Sequence, residues 1–119
     1  MGTRSFDRSR FDHVGLNTDE VKEGETFVEA TRVWVTNPRA NPFNIEWVRW
    51  ETPPTSGPVW HVAYRVDDVE EALEGHKVLL EPFDPTGRGD DFLRVAFVEV
   101  DGVIVEFMQY GNPDETGWF

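Results

Sequence analysis

The chain of 119 residues carries 11 Lys plus Arg against 23 Asp plus Glu, a formal net charge of −12 that repels phosphate backbones and anionic membranes. The absence of cysteine excludes disulfides, a thiol nucleophile and a Cys-based metal site, while five Trp and nine Phe can supply a core. No apolar run approaches the ~18 residues of a membrane span, and the first ten residues lack the apolar core of a signal peptide. We therefore expect one cytoplasmic domain, at 1–119, that binds neither nucleic acid nor membrane.

The first part of the chain predicts strands. The segment "FDHVGLNT" reads as a short strand that ends at Asn17–Thr18. Residues 26–38 are rich in β-branched and aromatic residues and stop at Asn37–Pro38. A further strand, "PFNIEWVRWE", ends at the turn cluster 52–58.

The second part predicts a strand, a helix and three more strands. The strand "VWHVAYRVD" leads into a helix that Asp67 or Asp68 can cap, and Gly75 suits its C-terminal end. "KVLLEPFDP" reads as a strand, "TGRGDD" as a loop, and Asp101–Gly102 as the tight turn of a hairpin. The tail after Tyr110 is turn-like, and it ends in the two aromatic residues 118 and 119, which are candidates for docking on the domain.

The two parts match each other. "HVGLNTDEV" aligns with "HVAYRVDDV", which places His13 over His61 at an offset of 48 residues. "NIEWVRW" aligns with "IVEFMQY", which places Glu46 over Glu106 at an offset of 60 residues. The helix accounts for most of the extra length of the second part, and the first part has the irregular "DEVKEGE" in its place. We infer an internal repeat in which each half starts at a His, ends at a Glu and contains four strands.

Strand periodicity supports a shared role for these four residues. Alternation places Glu46 on one face with Val48 and Trp50, and it places Glu106 on one face with Met108. An unpaired carboxylate among apolar neighbours is costly to bury, and two His and two Glu could offset that cost by sharing a cation. Imidazole and carboxylate ligands suit Zn, Ni, Co, Mn or Fe. With only one Glu bound, His13 and His61 would complete the two-His-one-carboxylate triad of non-haem iron enzymes.

The motifs "DHVGL", "FNIEW", "WHVAYRVDDVEEAL" and "GVIVEFMQY" resemble the vicinal oxygen chelate superfamily, which includes glyoxalases, bleomycin-resistance proteins and extradiol dioxygenases. The resemblance implies an α+β fold of paired βαβββ modules, at about 11–52 and about 59–110, with the helix of the first module reduced or absent. It implies metal ligands at His13, Glu46, His61 and Glu106.

The resemblance also implies a chemistry. We expect a metal-dependent lyase or isomerase for a small oxygenated metabolite, in which Glu46 or Glu106 is the general base. One alternative is a metal-free, drug-binding protein of the bleomycin-resistance kind, whose aromatic residues would contact planar rings of a cationic ligand. A second alternative is an iron-dependent dioxygenase of the extradiol type.

Three further residues are candidates for substrate binding. Trp50 and Tyr110 each lie four residues after a predicted ligand, and they could line a pocket or belong to the core. Arg94 could anchor an anionic substrate, although its parity with Ala96 and Val98 also suits a surface ion pair.

The repeat also predicts self-association. The first half lacks a covering helix, so the apolar outer face of its sheet needs another cover. That face carries Val14, Leu16, Ile45 and Trp47. We expect a two-fold homodimer, which the resemblance also implies.

Overall fold

The computed structural model describes residues 8–52 and 59–118, and the regular structure of this part of the chain is eight strands and one short α-helix. The strands are Phe11–Asn17 (β1), Thr26–Val28 (β2), Val33–Val35 (β3), Ile45–Trp50 (β4), Val59–Arg65 (β5), Lys77–Phe83 (β6), Leu93–Val100 (β7) and Val103–Tyr110 (β8). The helix is Val69–Leu73 (α1), and 3-10 turns lie at Arg8–Arg10 and Pro38–Ala40.

All eight strands belong to one curled sheet with the order β2-β3-β4-β1-β5-β8-β7-β6. In each half the first strand pairs in parallel with the last, β1 with β4 and β5 with β8. The halves join where β1 and β5 pair in antiparallel fashion. This arrangement confirms the predicted paired modules, and in the described residues the connection from β1 to β2 contains no helix.

Local signals explain the ends of the elements. The side chain of Asp68 accepts a hydrogen bond from the backbone N–H of Glu71 at the start of α1. The hairpin between β7 and β8 turns at Asp101 and Gly102, which have φ values of 51° and 84°, the backbone that a tight two-residue turn requires. Residues 26–38 divide into β2 and β3, because the chain reverses at Arg32 with φ 59°.

Two apolar layers cover the two faces of the second half. Val95 and Phe97 on β7 belong to the main core on the inner face, whereas Ala96 and Val98 pack with the residues of α1 on the outer face. No helix of the described residues covers the outer face of the first half, where Val14, Leu16, Ile45 and Trp47 are half-buried.

Three sequence-based predictions concern the C-terminal tail, the turn cluster 52–58 and membrane-spanning helices. Trp118 is half-buried and packs against the main core. Residues 53–58 of the predicted turn cluster lie outside the described residues, and so does Phe119. Within the described part of the chain, no helix has the length and apolarity needed to cross a bilayer.

Candidate metal centre

The strand register brings the four predicted ligands together at the junction of the two halves. His13 on β1 lies opposite Ala63 on β5, and Ala63 lies beside Glu106 on β8. Likewise, His61 on β5 lies opposite Gly15 on β1, and Gly15 lies beside Glu46 on β4. His13 therefore faces Glu106 across Ala63, and His61 faces Glu46 across Gly15. The two arrangements are related by an approximate two-fold axis.

The side chains of these residues converge. The two Nε2 atoms of His13 and His61 lie 3.1 Å apart. Oε1 of Glu106 is 3.1 Å from Nε2 of His61 and 3.3 Å from Nε2 of His13. Oε1 of Glu46 is slightly farther away, at 3.4 Å from His61 and 3.6 Å from His13. All four residues are buried, with at most 7% of any one exposed.

A small residue at position 15 is necessary for this packing. A Cβ atom added to Gly15 would lie 2.4 Å from Cε1 and 2.7 Å from Nδ1 of His61, which is closer than real Cβ atoms come. The equivalent residue in the second half, Ala63, is also fully buried. No local sequence pattern indicates the role of Gly15, because this role depends on which residue lies opposite across the sheet.

The electrostatics of the cluster link the histidines to the glutamates. Burial alone would lower the pKa of His13, but the negative charge of Glu46 and the hydrogen bonds to Asp12 and Glu106 raise it to about 10. The same balance raises the pKa of His61. Burial would raise the pKa of Glu106, but hydrogen bonds from both histidines lower it to about 2. The protonated form of the histidines and the ionised form of Glu106 therefore stabilise each other in the metal-free protein.

The donor set fits a divalent cation. One ligand atom from each of His13, His61 and Glu106 lies within 4.8 Å of the others, and Oε1 of Glu46 is within 3.6 Å of both imidazoles. Two imidazole nitrogens and two carboxylate oxygens are ligands that Zn²⁺ and its neighbours bind. A bound divalent cation would balance the charge of two carboxylates.

A polar network supports one of the two histidines. Nδ1–H of His13 donates to Oδ1 of buried Asp12 over 2.6 Å. Asp12 also accepts hydrogen bonds from Arg39, at 2.6 Å, and from Arg65, at 3.0 Å. Burial would raise the pKa of Asp12, but His13 and the two guanidinium groups hold it below its usual value. By contrast, Nδ1 of buried His61 has no hydrogen-bond partner among the described residues.

A cavity opens beside the cluster, and its wall is mostly apolar. The four predicted ligands form one end of this cavity. The remaining wall comes from aliphatic and aromatic side chains with Thr31 and Pro85: Val28, Val33, Val35, Trp50, Trp60, Phe83, Val95, Phe97 and Trp118.

The C-terminal tail places Trp118 in this wall. Arg65 donates to the backbone carbonyls of Glu115 and Thr116, and Arg88 donates to the carbonyl of Trp118 over 3.2 Å. Trp118 also lines a second, adjoining cavity on the Asp12 side of the cluster. The sequence indicated that Trp118 could dock, but it gave no sign of where.

The structure separates the three candidates for substrate binding. Trp50 lines the main cavity, while Tyr110 lines the second cavity, where burial raises its pKa and Arg65 lies over its ring at 4.5 Å. Arg94 does not lie at either cavity, because its parity on β7 turns it to the face that carries α1. There its guanidinium pairs with Glu70. This pairing agrees with the surface ion pair that the sequence also allowed, and a role of Arg94 in substrate binding stays a prediction.

Comparison with known proteins supports the fold. No family model matches the chain, and no curated protein matches it. A hypothetical protein from Bacillus halodurans C-125, BH1468, aligns over 88% of this chain and 96% of its own, with 19% identity and a TM-score of 0.65. Methylmalonyl-CoA epimerase from Mycobacterium tuberculosis aligns over 87% of this chain and 89% of its own, with 16% identity and a TM-score of 0.61. At these identities the likeness concerns the fold, and it agrees with the glyoxalase-like α+β arrangement of the two halves.

Proposed function

We propose that this protein is a metal-dependent lyase or isomerase of the vicinal oxygen chelate type, with a small oxygenated metabolite as its substrate. The observation that carries the proposal is the meeting of two buried His–Glu pairs, one from each half, with N–O distances of 3.1–3.6 Å. The epimerase among the structural neighbours supports isomerase chemistry on this fold.

In this proposal His13, His61, Glu106 and Glu46 hold a divalent cation of Zn, Ni, Co, Mn or Fe. When bound, the cation supplies Lewis-acid stabilisation of the oxyanion that develops as a proton leaves the substrate. The apolar cavity excludes water from the reacting atoms and thereby strengthens electrostatic interactions within the site.

We assign the general base to Glu46. Glu106 lies nearer to both imidazoles than Glu46 does, which supports Glu106 as the firmer ligand. Glu46 lines the main cavity and also the small second cavity, whereas Glu106 lines only the main cavity. In this assignment Glu46 takes the proton from the substrate carbon, and Asp12 keeps the imidazole of His13 oriented.

Metal analysis of the purified protein tests the proposal. We expect about one divalent ion per chain in the parent protein. We expect the ion to be lost in His13→Ala, His61→Ala and Glu106→Ala, and to be bound more weakly in Glu46→Gln. The matched control is His76→Ala, which removes the remaining histidine of the chain from a position outside both cavities.

Two results would contradict these assignments. A parent protein without metal after dialysis against Ni²⁺, Zn²⁺, Mn²⁺ and Fe²⁺ would rule out the metalloenzyme. Greater loss of metal in Glu46→Gln than in Glu106→Gln would reverse the roles of the two glutamates. If the ion is confirmed, proton exchange at the carbon next to a substrate carbonyl is the reaction to screen first, followed by O₂ consumption with a catechol.

A second candidate function is ligand binding without metal, and the aromatic wall of the cavity favours it. Trp50, Trp60 and Trp118 could contact a planar drug as well as a metabolite, and the acidic chain suits a cationic one. Tight binding of a cationic aromatic drug by metal-stripped protein, unchanged by His13→Ala, would favour this candidate over the enzyme.

A further inference from the structure

The two sides of the His–Glu cluster differ in polarity, although the residues of the cluster are related by the repeat. Asp12 precedes His13, and the residue that precedes His61 at the equivalent position is Trp60. Asp12 lies among two guanidinium groups and an imidazole. Trp60 lies in the main core and lines the cavity. The cavity therefore lies on the apolar side of an asymmetric site.

The aromatic residues of this side form a stack around Trp60. The rings of Trp60 and Phe97 are nearly parallel, at 24°, with centroids 5.5 Å apart. Phe83 continues the stack on Phe97, at 20° and 6.3 Å. Trp50 meets Trp60 edge to face, with centroids 4.7 Å apart. Flat apolar groups pack well against such surfaces.

The cavity offers no positive charge to a ligand. No Lys or Arg lies among the described residues that line it. The arginines nearest to the cluster, Arg39 and Arg65, are on the other side of His13, where both pair with Asp12. Two glutamates already match the charge of a divalent cation, so a substrate carboxylate or phosphate would add an uncompensated negative charge in apolar surroundings.

From this asymmetry we propose that the site takes an uncharged substrate whose flat, apolar ring lies against Trp60 and Trp50, and that it rejects acidic or phosphorylated analogues. The expectation that substrate oxygen atoms approach the cation rests on the proposed function. The preferences for a ring and against a charge rest on the residues of the cavity wall. A preference against phosphorylated ligands would distinguish this chain from the methylmalonyl-CoA epimerase among its structural neighbours, because coenzyme A carries phosphate groups.

Three compounds that share a two-oxygen unit test the proposal on Zn²⁺-loaded protein by isothermal titration calorimetry. 2-Hydroxy-1-phenylethanone is uncharged and carries a ring, phenylglyoxylate carries the ring and a carboxylate, and hydroxyacetone is uncharged without a ring. We expect the first to bind about tenfold more tightly than either of the others, because each lacks one favourable feature. Equal or tighter binding of phenylglyoxylate or hydroxyacetone, or no binding of the ring-bearing hydroxyketone, would overturn the proposal.

Variants at two half-buried tryptophans test whether the cavity wall produces the preference for a ring. Trp50→Leu should weaken binding of the ring-bearing hydroxyketone about fivefold or more, and it should weaken binding of hydroxyacetone by less. Trp34→Leu is the matched control, because Trp34 packs against Phe27 and Arg49 and does not line the cavity. Trp50→Arg should reverse the order of the two ring compounds by supplying a cation. An unchanged order in Trp50→Arg, with the protein folded, would count against the charge argument.

Metal content of the same samples keeps the two proposals separate. If the protein holds Zn²⁺ but prefers phenylglyoxylate, the substrate inference is wrong and the metal site stands. If the protein holds no Zn²⁺, the proposed function fails, and the order of the three compounds still reports whether the cavity selects uncharged rings.

Discussion

Asp12 and His13 are joined by a hydrogen bond of 2.6 Å between Oδ1 and Nδ1, and this bond fixes which imidazole nitrogen faces the glutamates. A carboxylate on the far nitrogen of a ligating histidine orients the ring and raises its basicity. We expect Asp12→Asn to weaken divalent metal binding by about 10- to 100-fold. Competition with a chromophoric chelator measures the affinity without any assay of activity.

The control for this variant is Glu25→Gln. Glu25 is another largely buried carboxylate paired with an arginine, Arg49, but it lies away from both cavities. Equal losses of metal affinity in Asp12→Asn and Glu25→Gln would mean that the effect comes from general destabilisation and not from the orientation of His13.

The Gly15→Ala variant should damage the site from within the sheet. The added Cβ would overlap the ring of His61, so the ring must move or the strands must separate, at a cost of about 1–3 kcal/mol. We expect loss of metal affinity together with a lower melting temperature. Gly117→Ala provides the comparison, since a Cβ there would meet Cγ of Arg39 at an ordinary 3.9 Å. A Gly15→Ala protein with parental metal affinity would show that His61 does not require its observed position.

The stability of the metal-free protein should depend on pH in both directions. The pKa of His13 is raised from 6.5 to about 10, so its contribution is complete below about pH 6.5 and is lost as the pH rises towards 10. The pKa of Glu106 is lowered from 4.5 to about 2, so its contribution is complete above about pH 4.5 and is lost as the pH falls towards 2. Urea unfolding across this range should therefore show its highest free energy of unfolding between those limits. An unchanged acid limb in Glu106→Gln would contradict the assignment to Glu106.

Arg94 provides a prediction of little effect. Its ion pair with Glu70 is largely at the surface, and such pairs contribute about 0–1 kcal/mol. We expect Arg94→Gln to retain the metal affinity of the parent and its preference among the three two-oxygen compounds. A change in that preference would support the sequence-based prediction that Arg94 acts in substrate binding.

We propose a homodimer that buries the outer face of the first half. Val14, Leu16, Ile45 and Trp47 are only half-buried there, and Val21 and Phe43 expose 76% and 72% of their surfaces. Sedimentation velocity at micromolar concentration should give a dimer. Leu16→Glu should give a monomer, whereas Leu80→Glu, at an exposed position on β6, should not. A monomeric parent protein would contradict the proposal.

Some of these features could be predicted from the sequence because they follow from local rules. The internal repeat paired His13 with His61 and Glu46 with Glu106, and the family resemblance implied that these four residues share one site. The turn at Asp101–Gly102 and a helix cap at Asp67 or Asp68 depend on short segments and were predicted, and the structure shows that Asp68 is the cap.

Other features depend on partners that are distant along the chain. Arg39 and Arg65, which flank Asp12, are 27 and 53 residues away from it, and no local pattern relates them. The irregular register of β1 against β5 around Asp12 also departs from simple alternation. Trp118 lines the cavity at the end of a tail whose carbonyl groups accept hydrogen bonds from Arg65 and Arg88. The role of Arg94 could not be assigned from the sequence, because alternation along β7 does not reveal which face of the sheet carries the cavity.

The antiparallel joint between β1 and β5 has an evolutionary consequence. Two separate copies of one module, paired through these strands, would form the same cluster of two His and two Glu. Identical copies would also carry the same residue before each His, so both sides of the cluster would be equally polar. Covalent fusion removes that constraint, since positions 12 and 60 can then mutate independently. A fused chain can therefore carry Asp12 on one side of the cluster and Trp60 on the other. A symmetric pair of identical modules cannot acquire this asymmetry.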